Sequence, residues 1–275
     1  MKISTNEKIS AIYYALWQCG YEYAHIEREG AHKEALAAFA AGEAHPFFAG
    51  VRQTTCEVYP YWPRAALLET ATYHVAQGKS HHFEVLRSKI MSAPNVADNE
   101  RDEGFWAWLA EFPAALQEVL HSEGFRRYLA WERTWCDELS RKNQAKLAKI
   151  QRCLDVCRAR YASPVRDVQL LISPIKCVYS ADYHLVGETF VFSSGQLAVE
   201  SVIHEFLHHV VHPAVLRCAE EIPERTYPGL DASYYTAGKV NVFEEYAVRS
   251  LTDLAMADAL SKDLDGFLRM LIENN

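Results

Sequence analysis

Apolar residues recur at helical spacing through the first 160 positions of the chain and then change to strict alternation. Ile9, Ile12, Tyr13, Leu16 and Trp17 fall on one face at a period of 3.6. Leu36, Phe39 and Ala40 do the same in an alanine-rich segment, and Trp106, Trp108, Leu109, Phe112 and Leu116 mark a further stripe. Aromatic side chains at this spacing pack into a core more readily than they line a groove. Residues 125–162 read as one long or once-broken helix, and its basic middle, from Ser140 to Lys149, reads as a solvated face. Breaks are expected at Ala44–Gly50, Tyr59–Pro63 and Ser92–Asp102, where proline, glycine and short polar residues gather.

Beyond Ser163-Pro164 the period becomes two. Asp167–Pro174, Lys176–Ser180 and Tyr183–Phe192 read as three or four short strands, expected to be antiparallel, with Gly187 at a turn. The predicted fold is α+β: a mainly helical region over 1–163, then over 164–275 a small mixed or antiparallel sheet with a helix that carries the chemistry and further helices behind it.

That chemistry sits in the stretch from Ser193 to Pro213, which contains His204-Glu205-Phe206-Leu207-His208. On a helix, histidines four residues apart lie one above the other with the glutamate beside them, an arrangement that can hold one Zn²⁺ between two imidazoles. Val202, Ile203, Phe206, Leu207, Val210 and Val211 form one apolar stripe, and the polar trio lies off it. One side of the helix is thus expected to enter a core while the trio faces a cleft. Ser193, with Gln196 three residues later, predicts a capping box that opens the helix, and Pro213 predicts its end.

A catalytic zinc site takes three protein ligands and keeps a fourth position for water, so a third ligand must lie downstream. The extended motif with a third histidine fails, because Val211 and Ala214 stand where a glycine and a histidine are required. His212 is one turn beyond His208 on the same rigid helix, so His209 and His212 are expected to be bystanders or to act behind the ligands. The segment from Val240 to Ala255 supplies two glutamates. If Phe243, Ala247, Ser250, Leu251 and Leu254 form its inward stripe, Glu245 stands about 200° from Phe243, the angle that Glu205 makes with Ile203. Glu245 is therefore the expected ligand, with Glu244 in reserve.

The run from Ser173-Pro174 through His204-Glu-Phe-Leu-His208 to Glu245-Tyr-Ala-Val-Arg249 resembles the gluzincin branch of the zincin metallopeptidases, the broad group that includes thermolysin and aminopeptidase N-like enzymes. It is most similar to a bacterial group of metallopeptidase-like proteins, over roughly residues 165–260. The resemblance implies His204, His208 and Glu245 as zinc ligands and Glu205 as general base. Two features depart from the pattern. Thirty-six residues lie between His208 and Glu245, more than in compact gluzincins, and Arg249 stands where thermolysin-like enzymes carry an aspartate that orients a ligand histidine.

Composition narrows the partners. A net charge of −8 with no basic stripe argues against nucleic acid or an anionic membrane surface. No run of 18 apolar residues or signal-peptide pattern is present, and seven cysteines without a framework of short spacings suit free thiols in a reducing compartment, which points to a cytoplasmic protein. Cys153 and Cys157 have no second ligand pair at zinc-ribbon spacing and read as buried thiols. Gly78-Lys79-Ser80 lacks the first glycine of a phosphate loop. Oligomeric state is not legible.

The expected activity is hydrolysis of a peptide or protein substrate, with Glu205 activating a water and passing its proton to the leaving amine. Candidate donors for the oxyanion lie between Pro213 and Val240: Tyr234, Tyr235 and Lys239, in a segment long enough to form a cleft wall or lid. The strand Glu188–Phe192, if it lies at a sheet edge, would receive an extended peptide by strand addition. Two other readings share the site: an inactive zinc-binding or regulatory protein whose helical half docks a partner, and a zinc hydrolase of non-peptide amides.

Overall fold

A computed structural model describes residues 1–20, 38–39, 44–51, 65–76, 103–176, 178, 181–230, 235 and 238–260. The elements in chain order are β1 (Ile3–Ser4), α1 (Glu7–Gln18), α2 (Pro46–Gly50), α3 (Ala66–Ala76), α4 (Glu103–Ala110), α5 (Phe112–His121), α6 (Glu123–Lys142), α7 (Gln144–Tyr161), β2 (Asp167–Ile172), β3 (Ala181–Val186), β4 (Thr189–Ser194), α8 (Val199–Arg217) and α9 (Lys239–Leu260). The fold is α+β, and the described residues are mainly helical, with one four-stranded mixed sheet among them.

The sheet order is β1-β2-β4-β3. β1 and β4 both run parallel to β2, so the sheet is mixed, one of the two expected arrangements, and the antiparallel reading of the strands is corrected; only β3 and β4 pair antiparallel, through the turn at Gly187, whose φ is +62°. A period of two reports which residues share a face but carries no information about strand direction, which the connections decide. Two further expectations change. Lys176–Ser180 contributes no strand among its described residues, and Ile3–Ser4, inside a stretch read as helical, joins the sheet opposite Leu170 and Leu171. Ile3 N–H also donates to Ser140 Oγ at 2.9 Å, anchoring the strand to α6.

Helices cover both faces of the sheet. Leu171 and Val191 point into a core built from α1 to α5 and the start of α6, where Ile12, Tyr13, Leu16, Trp106, Leu109, Phe112 and Leu116 are almost wholly buried. Leu170, Ile172, Phe190 and Phe192 point the other way, into a core shared with α7, α8 and α9. Each strand of the central pair is therefore apolar on both sides, as in a sheet sandwiched between helices. The second core also takes Ile3 and Cys136 from the first 163 residues, so neither core is built from one side of that position alone.

The once-broken helix predicted over 125–162 is α6 and α7, parted at Asn143, with Arg141, Lys142, Lys146 and Lys149 exposed as expected. Cys153 and Cys157 are free and fully buried in the second core, and burial pushes the Cys157 thiol up to about 12. The expected break at Ala44–Gly50 is instead the short helix α2, opened by His45, whose Nδ1 accepts from the Phe47 N–H. Phe39 packs against Tyr128 and Trp131, whereas Leu36, Ala40 and the segments 59–63, 78–80 and 92–102 lie outside the described residues.

A charged knot pins the strands to the helices of the first core. Lys176, wholly buried, donates to Glu69 Oε1 at 2.8 Å, Asp182 Oδ2 at 2.7 Å and Ser193 Oγ at 3.1 Å. Glu69 also accepts from the Tyr13 hydroxyl and, on Oε2, faces His184 Nε2 at 2.9 Å. Burial works to raise the Glu69 pKa, but Lys176 and His184 outweigh it and hold the carboxyl well below its usual range. The knot joins α1, α3, β3, β4 and the turn after β2.

Candidate metal centre

α8 buries Val202, Ile203, Phe206, Leu207 and Val211 of the expected stripe, with Val210 partly buried, and leaves His204, Glu205 and His208 half-buried on the side that faces α9 and β3. Its ends differ from those expected. Ser193 and Ser194 close β4, and the helix starts at Val199 after Ala198, which provides no side-chain cap. Ser194 Oγ instead accepts the Gln196 N–H at 3.3 Å, a local turn that satisfies the chain before the helix begins. Pro213 does not end the helix, which continues to Arg217. The ring removes only the N–H that would bond to the His209 carbonyl, and burial of Val211 and Val215 on either side carries the helix through.

On α9 the most buried line is Glu244, Val248, Thr252 and Ala255, with Phe243, Ala247 and Leu251 only partly buried beside it. The stripe is rotated from the predicted one because α9 packs against two neighbours, α8 and α7; Arg160 of α7 pairs with Asp258 at its far end. That rotation brings both glutamates to α8, each in a different role.

Three donor atoms converge. His204 Nε2 and His208 Nε2 are 3.1 Å apart, and Glu245 Oε2 lies 3.6 Å from each. With bonds of about 2.0–2.1 Å, neighbouring ligands of a tetrahedral zinc stand roughly 3.3 Å apart, so this triangle fits one small ion. Its side chains keep 22, 19 and 14% of their exposure, which leaves the open side reachable from solvent. Among the described residues it is the one group of histidine, cysteine and carboxylate donors arranged to hold a metal.

Glu244, the reserve ligand, stands behind the triangle. Its Oε1 is 2.9 Å from His208 Nδ1 and its Oε2 is 2.7 Å from His212 Nδ1. A proton on His208 Nδ1 leaves the Nε2 lone pair for a metal, so Glu244 selects the tautomer that ligation needs. Burial lowers the His208 pKa, but the bond to Glu244 and the charges of Glu205, Glu244 and Glu245 outweigh it and raise the pKa overall. Burial would raise both glutamates; the histidines instead hold Glu244 low, and His204 with Arg249 brings Glu245 down to about 2.

Glu205 is half-buried; burial above all raises the Tyr183 pKa, with the charges of Glu244 and Glu205 adding to it. Tyr183 of β3 stacks parallel to His208 at 6.3 Å between ring centres. His209 is on the buried side, with Nε2 2.9 Å from Ser163 Oγ, apart from the triangle. Tyr235, expected as an oxyanion donor, gives its hydroxyl to the Tyr227 carbonyl at 3.0 Å and accepts the Tyr227 N–H at 2.7 Å. Lys239 reaches the Glu220 carbonyl at 3.5 Å, and Tyr234 lies outside the described residues. Sequence reasoning missed the roles of Glu244, Arg249 and Tyr183. Adjacent glutamates differ by about 100° around a helix, so a tandem pair can place one carboxylate at a metal and the other behind a ligand.

No helix among the described residues is long and apolar enough to cross a membrane. Comparison of the chain with protein-family models, with curated proteins and with solved structures returns no match.

Proposed function

We propose that this protein is a zinc-dependent hydrolase of gluzincin type whose substrates are peptides or proteins. The observation that carries the proposal is the triangle of His204 Nε2, His208 Nε2 and Glu245 Oε2, with separations of 3.1, 3.6 and 3.6 Å. Two imidazoles and one carboxylate are the donor set of catalytic rather than structural zinc, because three ligands leave a position for reactants. A zinc ion held there supplies Lewis acidity to a water molecule and to the scissile carbonyl.

The chain's own groups do the rest. Glu205, next to His204 and half-buried on α8, accepts the proton of the attacking water and returns it to the departing amine. His208 stays in the Nδ1–H form through Glu244, so its Nε2 faces the reaction side throughout. β3 is the sheet edge beside α8, and β4, which contains the segment expected at an edge, lies between β2 and β3. An extended peptide would therefore add along β3, where Tyr183 covers His208 and Leu185, on the same face of the strand, is 49% exposed.

The second reading is a zinc-binding regulatory protein without activity. It draws support from Tyr235, whose hydroxyl is committed to the Tyr227 backbone instead of an oxyanion. One comparison separates the two. The parent chain should carry one zinc per molecule by mass spectrometry and cleave members of a peptide library, and Glu205→Gln should keep the metal but lose at least about 100-fold in rate. A parent that holds zinc and cleaves nothing favours the regulatory reading.

A further inference from the structure

Glu245 has two oxygens, and they have different partners. Oε2 completes the donor triangle, while Oε1 accepts a hydrogen bond from Arg249 Nε at 2.7 Å. Arg249 is one helical turn further along α9, so the backbone presents the guanidinium to this carboxylate. A second nitrogen, Nη1, donates to the Gly229 carbonyl at 3.2 Å. Gly229 belongs to the segment between α8 and α9 and has a φ of +78°; nearby, the Tyr227 ring packs on Phe243 and Tyr246 of α9.

We propose that Arg249 is a positioning residue that restricts Glu245 to one-oxygen ligation and fixes the segment around Gly229 to the metal centre. The inference rests on the zinc reading above. An exposed Glu–Arg pair four residues apart on a helix contributes little by itself. Here the carboxylate is one of three metal donors, so the orientation of one oxygen determines how many positions remain open. With Oε1 held by the guanidinium, chelation by both oxygens competes with this hydrogen bond, which favours ligation through Oε2 alone and leaves a coordination site for water and substrate. The planar guanidinium can serve Glu245 and Gly229 at once because its donors diverge, which an ammonium does less well.

The test uses the full chain, stripped of metal and titrated with Co²⁺, comparing the parent with Arg249→Met. The variant should bind Co²⁺ about 10- to 100-fold more weakly. Its visible absorption band should also lose intensity, because a freed Oε1 raises the coordination number above four. If Arg249→Met folds poorly by circular dichroism, Arg249→Gln is measured in its place and read in the same way. Variant affinity within twofold of the parent, with the parent's band, overturns the proposal. A parent chain that takes up neither Co²⁺ nor Zn²⁺ at one per molecule instead overturns the zinc reading on which it rests.

Discussion

Glu244 Oε1 lies 2.9 Å from Nδ1 of His208, the nitrogen that faces away from the donor triangle. A metal held by His208 Nε2 would therefore feel this carboxylate through the histidine, whose tautomer and ring orientation it fixes. Glu244→Ala is expected to weaken zinc binding by about 10- to 100-fold while leaving all three donors in place. Competition titration against a chelating dye measures this. An unchanged affinity would mean that packing against Tyr183 alone orients the imidazole.

Metal removal should cost stability. The donors come from α8 and α9, so an ion bound to the folded chain stabilises the packing of these two helices. At free zinc about 1,000 times Kd, linkage gives about 4 kcal/mol, or an increase in Tm of roughly 5–10 °C for a chain of this size. Thermal melts with zinc and with excess chelator read the difference, and His204→Ala should abolish it.

Glu132 gives a pH dependence independent of the metal. It is 2% exposed between α1 and α6; Oε1 accepts from the Tyr128 hydroxyl at 3.0 Å and Oε2 is buried without a donor in good geometry. Burial raises its pKa from 4.5 to about 7, against smaller opposing effects of Ser10, Tyr128 and Arg133. Below pH 4.5 the carboxyl is protonated in both folded and unfolded chains. As the pH rises from there to about 7, the unfolded chain loses the proton first, so stability falls, by about 3 kcal/mol over the interval, and then levels off. Glu132→Gln should remove this component, making the variant more stable than the parent at pH 8 and nearly equal at pH 4. Urea unfolding at the two pH values tests it.

The knot around Lys176 should be costly to break from one side. Lys176→Met leaves Glu69 and Asp182 buried without their shared cation, and a loss of about 3–5 kcal/mol is expected. Replacing all three residues with apolar side chains of similar volume should cost less, because no buried charge is left uncompensated. Chemical denaturation of the single and triple variants decides this.

Gly124 and Tyr14 should be coupled. A Cβ at position 124 would collide with the Tyr14 hydroxyl but stand 3.5 Å from its Cζ, an ordinary contact. Tyr14 is buried beside Phe125 and Tyr128, so the ring has little freedom to withdraw. Gly124→Ala is expected to destabilise by about 1–3 kcal/mol, and adding Tyr14→Phe should recover most of that. A double-mutant cycle of unfolding free energies gives the coupling.

Local spacing alone assigns which side chains can meet a metal and which faces are buried. His204 and His208 share a helix face through covalent spacing alone, and the stripe from Val202 to Val211 assigns the opposite face to the core. The helical pattern up to Tyr161 and the switch to alternation after Ser163 follow from the same local periodicity. Tertiary structure decided what local spacing does not encode. Strand direction within the sheet, the recruitment of Ile3–Ser4 and the continuation of α8 through Pro213 depend on contacts between distant segments. The division of labour between Glu244 and Glu245 rests on the rotation of α9, which is set by burial against α8 and α7 together. Adjacent glutamates are chemically identical along a chain, and only the position of the histidines and Arg249 around them turns one toward the donor triangle and the other toward His208 Nδ1.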